Sequence, residues 1–283
     1  MARSNLILIC TDLDRTLLPN GAQTESPAAR KLFRQLVERP EVKLAYVSGR
    51  DRGLLKKAIK EYDIPLPDYA ITDVGTTIYS IENQQWQKWR SWYDEIAPDW
   101  GTHTQYSLAE LLEDIKQLQL QEESKQGKYK LSYYADENTD TVNLFRELRT
   151  RFHNRGIRAS LIWSIDETTH TGLLDILPKS ANKLHAIHFL MQELNFLPEQ
   201  TVFAGDSGND LEVLCSDVQS VLVANATEEV RQQALKLATD NHSEAQLYLA
   251  RGNFLDMNGN YAAGILEGVA HYLPETLDWL RVE

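Results

Sequence analysis

Cysteine is scarce. Cys10 and Cys215 are the only two in 283 residues, which is too few for a disulfide framework, so a reducing compartment is expected. Long apolar runs are missing near the start as well. Leu6-Ile7-Leu8-Ile9-Cys10 is five residues long and ends at Thr11-Asp12. Such a run can form neither the core of a signal peptide nor a bilayer span, and a cytoplasmic protein without membrane contact is expected. Positive charge is outnumbered: 29 Lys and Arg face 41 Asp and Glu, a formal net charge of −12. General binding to a nucleic-acid backbone is therefore not expected, and an anionic ligand would need locally arranged cations or a metal. Internal repeats and low-complexity tracts are also absent. What remains is ordinary globular composition, 42% hydrophobic and 25% charged, long enough for one large domain or a core carrying a smaller second one.

The first third alternates strand and helix. Leu6 to Cys10 reads as a strand buried on both faces. Ser26-Pro27 reads as a helix start, with Leu32, Phe33, Leu36 and Val37 at helical spacing and Pro40 as the stop. Val42 to Val47 is a second strand, Asp51 can cap the following helix, and Tyr69 to Thr72 is a third strand, with a return after Gly75. The middle changes character. Helices are expected near 89–98, 107–121 and 139–155, the last with Val142, Phe145, Leu148 and Phe152 inward. Strands are expected at Tyr129–Tyr134, Ala159–Ser164 and Gly172–Leu177. Trp89, Tyr93, Ile96 and Trp100 recur at helical spacing, which points to packing and not to sugar stacking. After Pro178 the alternation resumes, with a strand at Thr201–Gly205. The pattern predicts an α/β core over 1–83 and 173–283, interrupted by an α+β unit over 84–172.

Chemistry concentrates at strand ends. Asp12 and Asp14 directly follow the first strand, where ligands bind in open α/β sheets. Two neighbouring carboxylates repel unless a cation lies between them or one keeps its proton, so the pair implies a metal or split pKa values. A plain turn leaving a strand is the alternative. Gly205-Asp206-Ser207-Gly208-Asn209-Asp210 repeats the theme after another apolar strand. Hard oxygen ligands without a Cys/His set favour Mg²⁺ over zinc. Ser48-Gly49-Arg50 opens a helix after the second strand and can offer N–H groups and a hydroxyl to a phosphate. Lys183, at a later helix start, can bring a point charge to the same oxygens.

Together, T-D-L-D-R-T, Y-V-S-G-R, N-K and G-D-S-G-N-D resemble, in this order, the four motifs of the haloacid dehalogenase-like phosphatases. Further stretches extend the similarity over nearly the whole chain to the sucrose-phosphate phosphatase family of cyanobacterial type. They include Asp68 to Gly75, Tyr129 to Tyr133, Asp175 to Pro178 and Ala262 to Glu267. Arg15 stands where those relatives often carry Asn, and Ser48 where many carry Thr. The resemblance implies a Rossmann-like, doubly wound parallel core sheet with an inserted α+β cap domain.

It also implies roles. Asp12 would be the nucleophile and Asp14 the general acid and base. Mg²⁺ would be held by Asp12, the backbone carbonyl of Asp14 and Asp206, with Asn209 and Asp210 in support. Ser48 and Lys183 would bind phosphoryl oxygens. Substrate contacts would fall to Lys130, Ser132, Tyr133 and Asp175 in the cap, and to Gly49, Arg50, Val74, Gly75 and Asn209 in the core; for Tyr133, a half-buried strand aromatic is the alternative. The implied reaction is hydrolysis of sucrose 6-phosphate by a monomer, with a sucrose-phosphate synthase as a suggested partner. Other disaccharide or glycoside phosphates, such as mannosylfructose phosphate, a phosphomutase and a non-catalytic sugar-phosphate sensor are the competing readings.

Overall fold

The computed structural model describes residues 6–166 and 169–280. Its elements run in chain order as β1 (Ile7–Thr11), α1 (Ala29–Val37), β2 (Val42–Val47), α2 (Arg52–Glu61), β3 (Tyr69–Thr72), β4 (Thr77–Glu82) and β5 (Gln85–Lys88). There follow α3 (Arg90–Ile96), α4 (Gln105–Leu111), β6 (Gln119–Leu120), β7 (Leu131–Asp136), α5 (Thr141–His153), β8 (Ala159–Asp166) and β9 (Thr171–Pro178). The chain continues with α6 (Lys183–Leu194), β10 (Thr201–Gly205), α7 (Leu211–Leu214), β11 (Gln219–Leu222), α8 (Glu228–Asp240), β12 (Leu247–Leu249), α9 (Ala262–Tyr272) and α10 (Leu277–Leu280). No helix among the described residues is long and apolar enough to cross a membrane.

Two compact units result, Met1–Lys88 with Lys183–Glu283, and Trp89–Asn182. In the first, eight strands form one sheet in the order β12-β11-β10-β1-β2-β3-β4-β5. Neighbours from β12 to β3 are parallel, whereas β4 and β5 are antiparallel additions at one edge. β1 lies between β10 and β2, and all five of its residues are buried. Ile7 and Ile9 join a core with Phe33 and Leu36 of α1, Leu55 of α2 and Ile265 and Leu266 of α9. Each fully buried Leu, Ile or Phe of this kind contributes roughly 1.5–3 kcal/mol.

Several local expectations change. α1 begins later than the Ser26-Pro27 reading, with Ala28 as its N-cap and no side-chain cap. The Ser26 hydroxyl instead accepts a hydrogen bond from the Asn258 N–H at 2.9 Å. The strands β5, β6 and β12 were not foreseen, being short or polar. Asp51 does cap α2, accepting from the Leu54 N–H at 2.8 Å.

The second unit has an antiparallel sheet ordered β6-β7-β9-β8. Strand alternation turns Leu131, Tyr133, Leu174, Ile176, Leu161 and Trp163 toward Leu108 and Leu112 near α4 and Leu144, Leu148 and Phe152 of α5. α4 is only seven residues long, so the helix expected over 107–121 ends early. Val142, expected inward, is 68% exposed; the helix is rotated so that Leu144 takes that role. Trp92, Tyr93, Ile96 and Trp100 are buried as a packing group, while Trp89 is only partly covered.

The second boundary lies at 182/183 and not at the expected 172/173. β9 pairs with both β7 and β8 along its length, which binds residues 173–178 to the smaller unit. Beyond β9, buried Asp99 accepts the Ser180 N–H at 2.6 Å and pairs with Arg158. The first boundary, expected at 83/84, falls at 88/89 because β5 completes a hairpin on β4.

Helix α9 lies closely enough against β11 and the loop that precedes the helix to forbid side chains at two positions. A Cβ on Gly264 would sit 2.2 Å from the Gly259 carbonyl oxygen, and one on Gly268 would sit 2.0 Å from Val221 Cγ2. Alanine normally stabilises a helix interior over glycine by about 1 kcal/mol. Here overpacking reverses the sign: G264A and G268A should each destabilise by about 1–3 kcal/mol. Thermal unfolding checks this, and an unchanged or raised Tm for both would refute the close approach.

Candidate active site

The carboxyl ends of β1, β2 and β10 carry the acidic and hydroxyl residues singled out from the sequence. Asp12 follows Thr11, the last residue of β1, and its N–H continues the ladder to the Ala204 carbonyl at 2.9 Å. Asp206 follows β10, and a single 3₁₀ turn over Gly208–Asp210 brings the Asp210 carboxylate back beneath it. Asp210 Oδ2 accepts from the N–H groups of Asp206 and Ser207, each at 3.2 Å, and from the Ser207 hydroxyl at 3.2 Å. Gly205 makes this possible, since a Cβ there would lie 2.6 Å from Asp210 Cγ. The motif contains Gly205 without assigning it a role; its place as the last strand residue before the acidic turn is the available signal.

Lys183, the first residue of α6, sends its ammonium into this cluster. Nζ lies 2.9 Å from Asp12 Oδ1, 2.7 Å from Asp210 Oδ1 and 3.3 Å from Asn209 Oδ1. All three partners of the cluster core are buried: Lys183 is 7% exposed, Asp12 6% and Asp210 0%. Asp206 is buried too, and accepts from the Thr16 hydroxyl at 3.1 Å, with the Arg15 Nε at 3.9 Å.

Carboxylate oxygens of Asp12, Asp206 and Asp210 all lie within 4.8 Å of one another. Three carboxylates therefore share one ammonium. Burial, reinforced by the charges of Asp210 and Asp206 against the pull of Lys183, pushes the Asp12 carboxyl up to about 7. Burial and the Asp210 charge push Asp206 up to about 6. Burial works against the Lys183 cation, but the facing Asp12 and Asp210 charges outweigh it and hold the lysine protonated. This surplus of buried negative charge, offered by hard oxygen donors alone, fits a divalent cation such as Mg²⁺. Asp210 is already spent on Lys183 and on its own turn, so Asp12 and Asp206 are the better direct ligands and Asp210 the supporting one.

Asp14 has a different environment. Arg50 grips it in a two-pronged pair, Nε to Oδ2 at 2.8 Å and Nη2 to Oδ1 at 2.6 Å, and the Asn20 amide donates to Oδ1 at 2.7 Å. Partial burial alone would raise its pKa, but the Arg50 fork and Asn20 outweigh that and hold the carboxyl below its ordinary range. Arg50, read as a substrate contact, thus spends its guanidinium on Asp14. Ser48 is buried and its Oγ accepts the Arg50 N–H at 3.2 Å. Gly49 faces open space, with nothing within 4 Å of an added Cβ. Val74 and Gly75 lie in a turn with Asp73 in which φ is +58°, +94° and +52° respectively. For the β-branched Val74 that is a costly conformation. The Asp73 N–H reaches the Arg50 carbonyl at 3.0 Å, tying this turn to the Ser48-Gly49-Arg50 segment.

In the smaller unit, the structure brings three of the four expected residues together. The Ser132 hydroxyl donates to Asp175 Oδ1 at 2.5 Å and Lys130 Nζ stands 3.4 Å from the same oxygen. Gln126, which sequence reasoning missed, clamps the Ser132 backbone by accepting its N–H at 2.8 Å and donating to its carbonyl at 3.0 Å. Tyr133 does not join them. It points to the opposite face, into the helix-covered core, and is 5% exposed.

Comparison with known proteins is consistent across the chain. The family pattern of sucrose-6F-phosphate phosphohydrolase matches residues 5–273. A Nitrosococcus oceani protein with the general name HAD-like hydrolase is 59% identical over 275 residues, 97% of this chain and 74% of its own. Sucrose-phosphatase 2 of Nicotiana tabacum is 29% identical over 94% of this chain, which spans only 59% of the tobacco protein's length. Among solved structures, the Synechocystis sp. sucrose-phosphatase in complex with sucrose and phosphate superposes with a TM-score of 0.69 and 26% identity, covering 94% of this chain and 97% of that one. With nearly its whole length matched by that pattern, the chain belongs to the sucrose-6F-phosphate phosphohydrolase family, within the haloacid dehalogenase-like hydrolases.

Proposed function

We propose that this protein is a Mg²⁺-dependent phosphomonoester hydrolase that releases phosphate from sucrose 6-phosphate. The observation that carries the reading is the buried cluster of Asp12, Asp206 and Asp210 around the Lys183 ammonium, set at the strand ends of a chain matched by this family over residues 5–273.

Asp12 attacks phosphorus, forming the Oδ–P bond of an aspartyl-phosphate as the bond to the sugar oxygen breaks. Asp14 gives that leaving oxygen a proton and later takes one from the water that cleaves the acyl phosphate. With Arg50 holding it ionised, Asp14 rests in the base form, and the acid half-reaction requires the Arg50 fork to loosen. Lys183 and Ser48 bind the phosphoryl oxygens, Lys183 as a charge already fixed in place by Asp210. Asp12, Asp206 and the Asp14 backbone carbonyl would hold Mg²⁺, with Asn209 and Asp210 in support; bound there, the ion supplies charge to the phosphoryl oxygens as a Lewis acid. The smaller unit is the cap that selects the sugar, with Lys130, Ser132 and Asp175 as its polar group.

Three outcomes test this. D12N should lower phosphate release on the order of 10⁴-fold or more while thermal unfolding stays cooperative; retained turnover would reject the mechanism. A panel of sucrose 6-phosphate, mannosylfructose phosphate, fructose 6-phosphate and glucose 6-phosphate, each with Mg²⁺ and with EDTA, should show metal-dependent turnover strongest on sucrose 6-phosphate. A different preferred sugar would keep the chemistry and discard the substrate.

The third outcome concerns pH. Asp12 and Asp206, at about 7 and about 6, ionise less readily folded than unfolded. The metal-free protein therefore binds more protons than the unfolded chain between about pH 4 and 7, and loses stability as pH rises through that window. A cation competes with those protons, so its apparent affinity should fall by about tenfold per pH unit and per displaced proton below pH 7. Thermal shifts with Mg²⁺ should be larger at pH 8 than at pH 5.5; equal shifts would show that the carboxylates are not its ligands.

A further inference from the structure

We infer that Asn225 is a positioning residue for the reaction, holding the Asp14-Arg15 turn in register with Asp12; this rests on the proposed phosphatase reading. Asn225 lies just beyond β11, 210 residues from the turn it serves, and is 4% exposed. Its carboxamide bridges two backbone groups. Nδ2 donates to the Arg15 carbonyl at 2.6 Å, and Oδ1 accepts from the Tyr261 N–H at 2.8 Å. The second contact fixes the first: because a backbone N–H can only donate, the amide oxygen must face Tyr261 and the NH₂ must face Arg15.

Both ends of the bridge need holding. Arg15 has φ +61° and Tyr261 has φ +51° with ψ −131°, conformations that L side chains rarely adopt. Arg15 directly follows Asp14, so a shift of the Arg15 carbonyl bears on the aim of the Asp14 carboxylate. The same turn is pinned from its other side by Asn20, whose Oδ1 accepts the Arg15 N–H at 2.7 Å while its Nδ2 donates to Asp14 Oδ1.

A wider strap anchors Tyr261 itself. The Tyr261 hydroxyl donates to the Gln23 carbonyl at 3.1 Å, and the Asn258 and Asn260 amides donate to the Thr24 carbonyl at 2.8 and 3.0 Å. The Ala224 N–H reaches the Gly259 carbonyl at 3.0 Å. Asn225 is the member of this network that touches the catalytic turn. Its chemistry is also specific: one donor and one acceptor are required in a buried place, which alanine and leucine cannot supply.

Two substrates separate positioning of Asp14 from general destabilisation. A sugar alkoxide leaves only with a proton from the acid, whereas p-nitrophenolate leaves without one. N225A and N225L, both of which lose the donor to Arg15, should lower kcat on sucrose 6-phosphate by about 10–100-fold with KM within about twofold, while first-turnover release of p-nitrophenol from its phosphate stays within about threefold. N258A, which loosens the strap away from the turn, should lower Tm but leave both rates near wild type. Equal losses on both substrates, or no loss on either, would overturn the proposal while the wild type's turnover still upheld the phosphatase reading. Wild-type inactivity on both substrates would instead reject that reading and the proposal with it. Should both Asn225 variants fail to fold, N20A, which frees the same turn from its exposed side, must show the same split between substrates, and its absence would equally refute the proposal.

Discussion

One buried ammonium among three carboxylates governs this molecule. Lys183 neutralises part of the negative charge of Asp12 and Asp210, and its pull opposes the burial that raises the Asp12 carboxyl. The remaining surplus, felt in the raised pKa values of Asp12 and Asp206, is what makes the cluster receptive to a further cation. Buried charge is seldom worth its desolvation as a source of stability. Here the sheet meets that cost by placing two parallel strand ends side by side, so that the backbone ladder and not the side chains sets the spacing.

Much of the surrounding structure serves to keep those charges at fixed distances. Gly205 leaves room for the Asp210 carboxylate under the β10 end. Thr16 turns its hydroxyl onto Asp206. Four of the non-glycine residues with positive φ belong to these segments: Arg15 in the first acidic loop, Asp73 and Val74 beside the Arg50 segment, and Tyr261 at the start of α9. Each such residue costs on the order of 1–3 kcal/mol and persists only where neighbours over-determine it. Asn20 accepts the Arg15 N–H, Asn225 accepts the Tyr261 N–H and the Arg50 carbonyl accepts the Asp73 N–H, and these bonds hold the strained residues in place.

The legible part of the site was the part whose meaning is local. Asp12 and Asp14 directly follow a five-residue apolar strand, and Asp206 to Asp210 fill a single turn, so residue type and spacing suffice to bring them to a strand end. Lys183 needed only a helix start. Asn20, Asn225 and Gln126 were illegible for the opposite reason: they act on backbone groups, and for Asn225 the partner lies 210 residues away. Periodicity also misled where two phases compete. Val142, Phe145, Leu148 and Phe152 fit a helical stripe nearly as well as Leu144, Leu148 and Phe152, and only the packing partners on β7, β8 and β9 choose between them. The expected boundary at 172/173 cuts through the strand Gly172–Leu177, which belongs whole to the smaller unit because β9 is central in a separate antiparallel sheet, paired on both sides.

The displaced boundary bears on how such enzymes can be diversified. The inserted unit is a cassette with seams at 88/89 and 182/183, and its downstream seam abuts the very lysine that the acidic cluster requires. A recombination point between Asn182 and Lys183 therefore exchanges the smaller unit whole and leaves Lys183 with Asp12 and Asp210. A crossover ten residues earlier would take Thr171 and Gly172 from one parent and the other six residues of β9 from the second, splitting the strand that pairs with both β7 and β8.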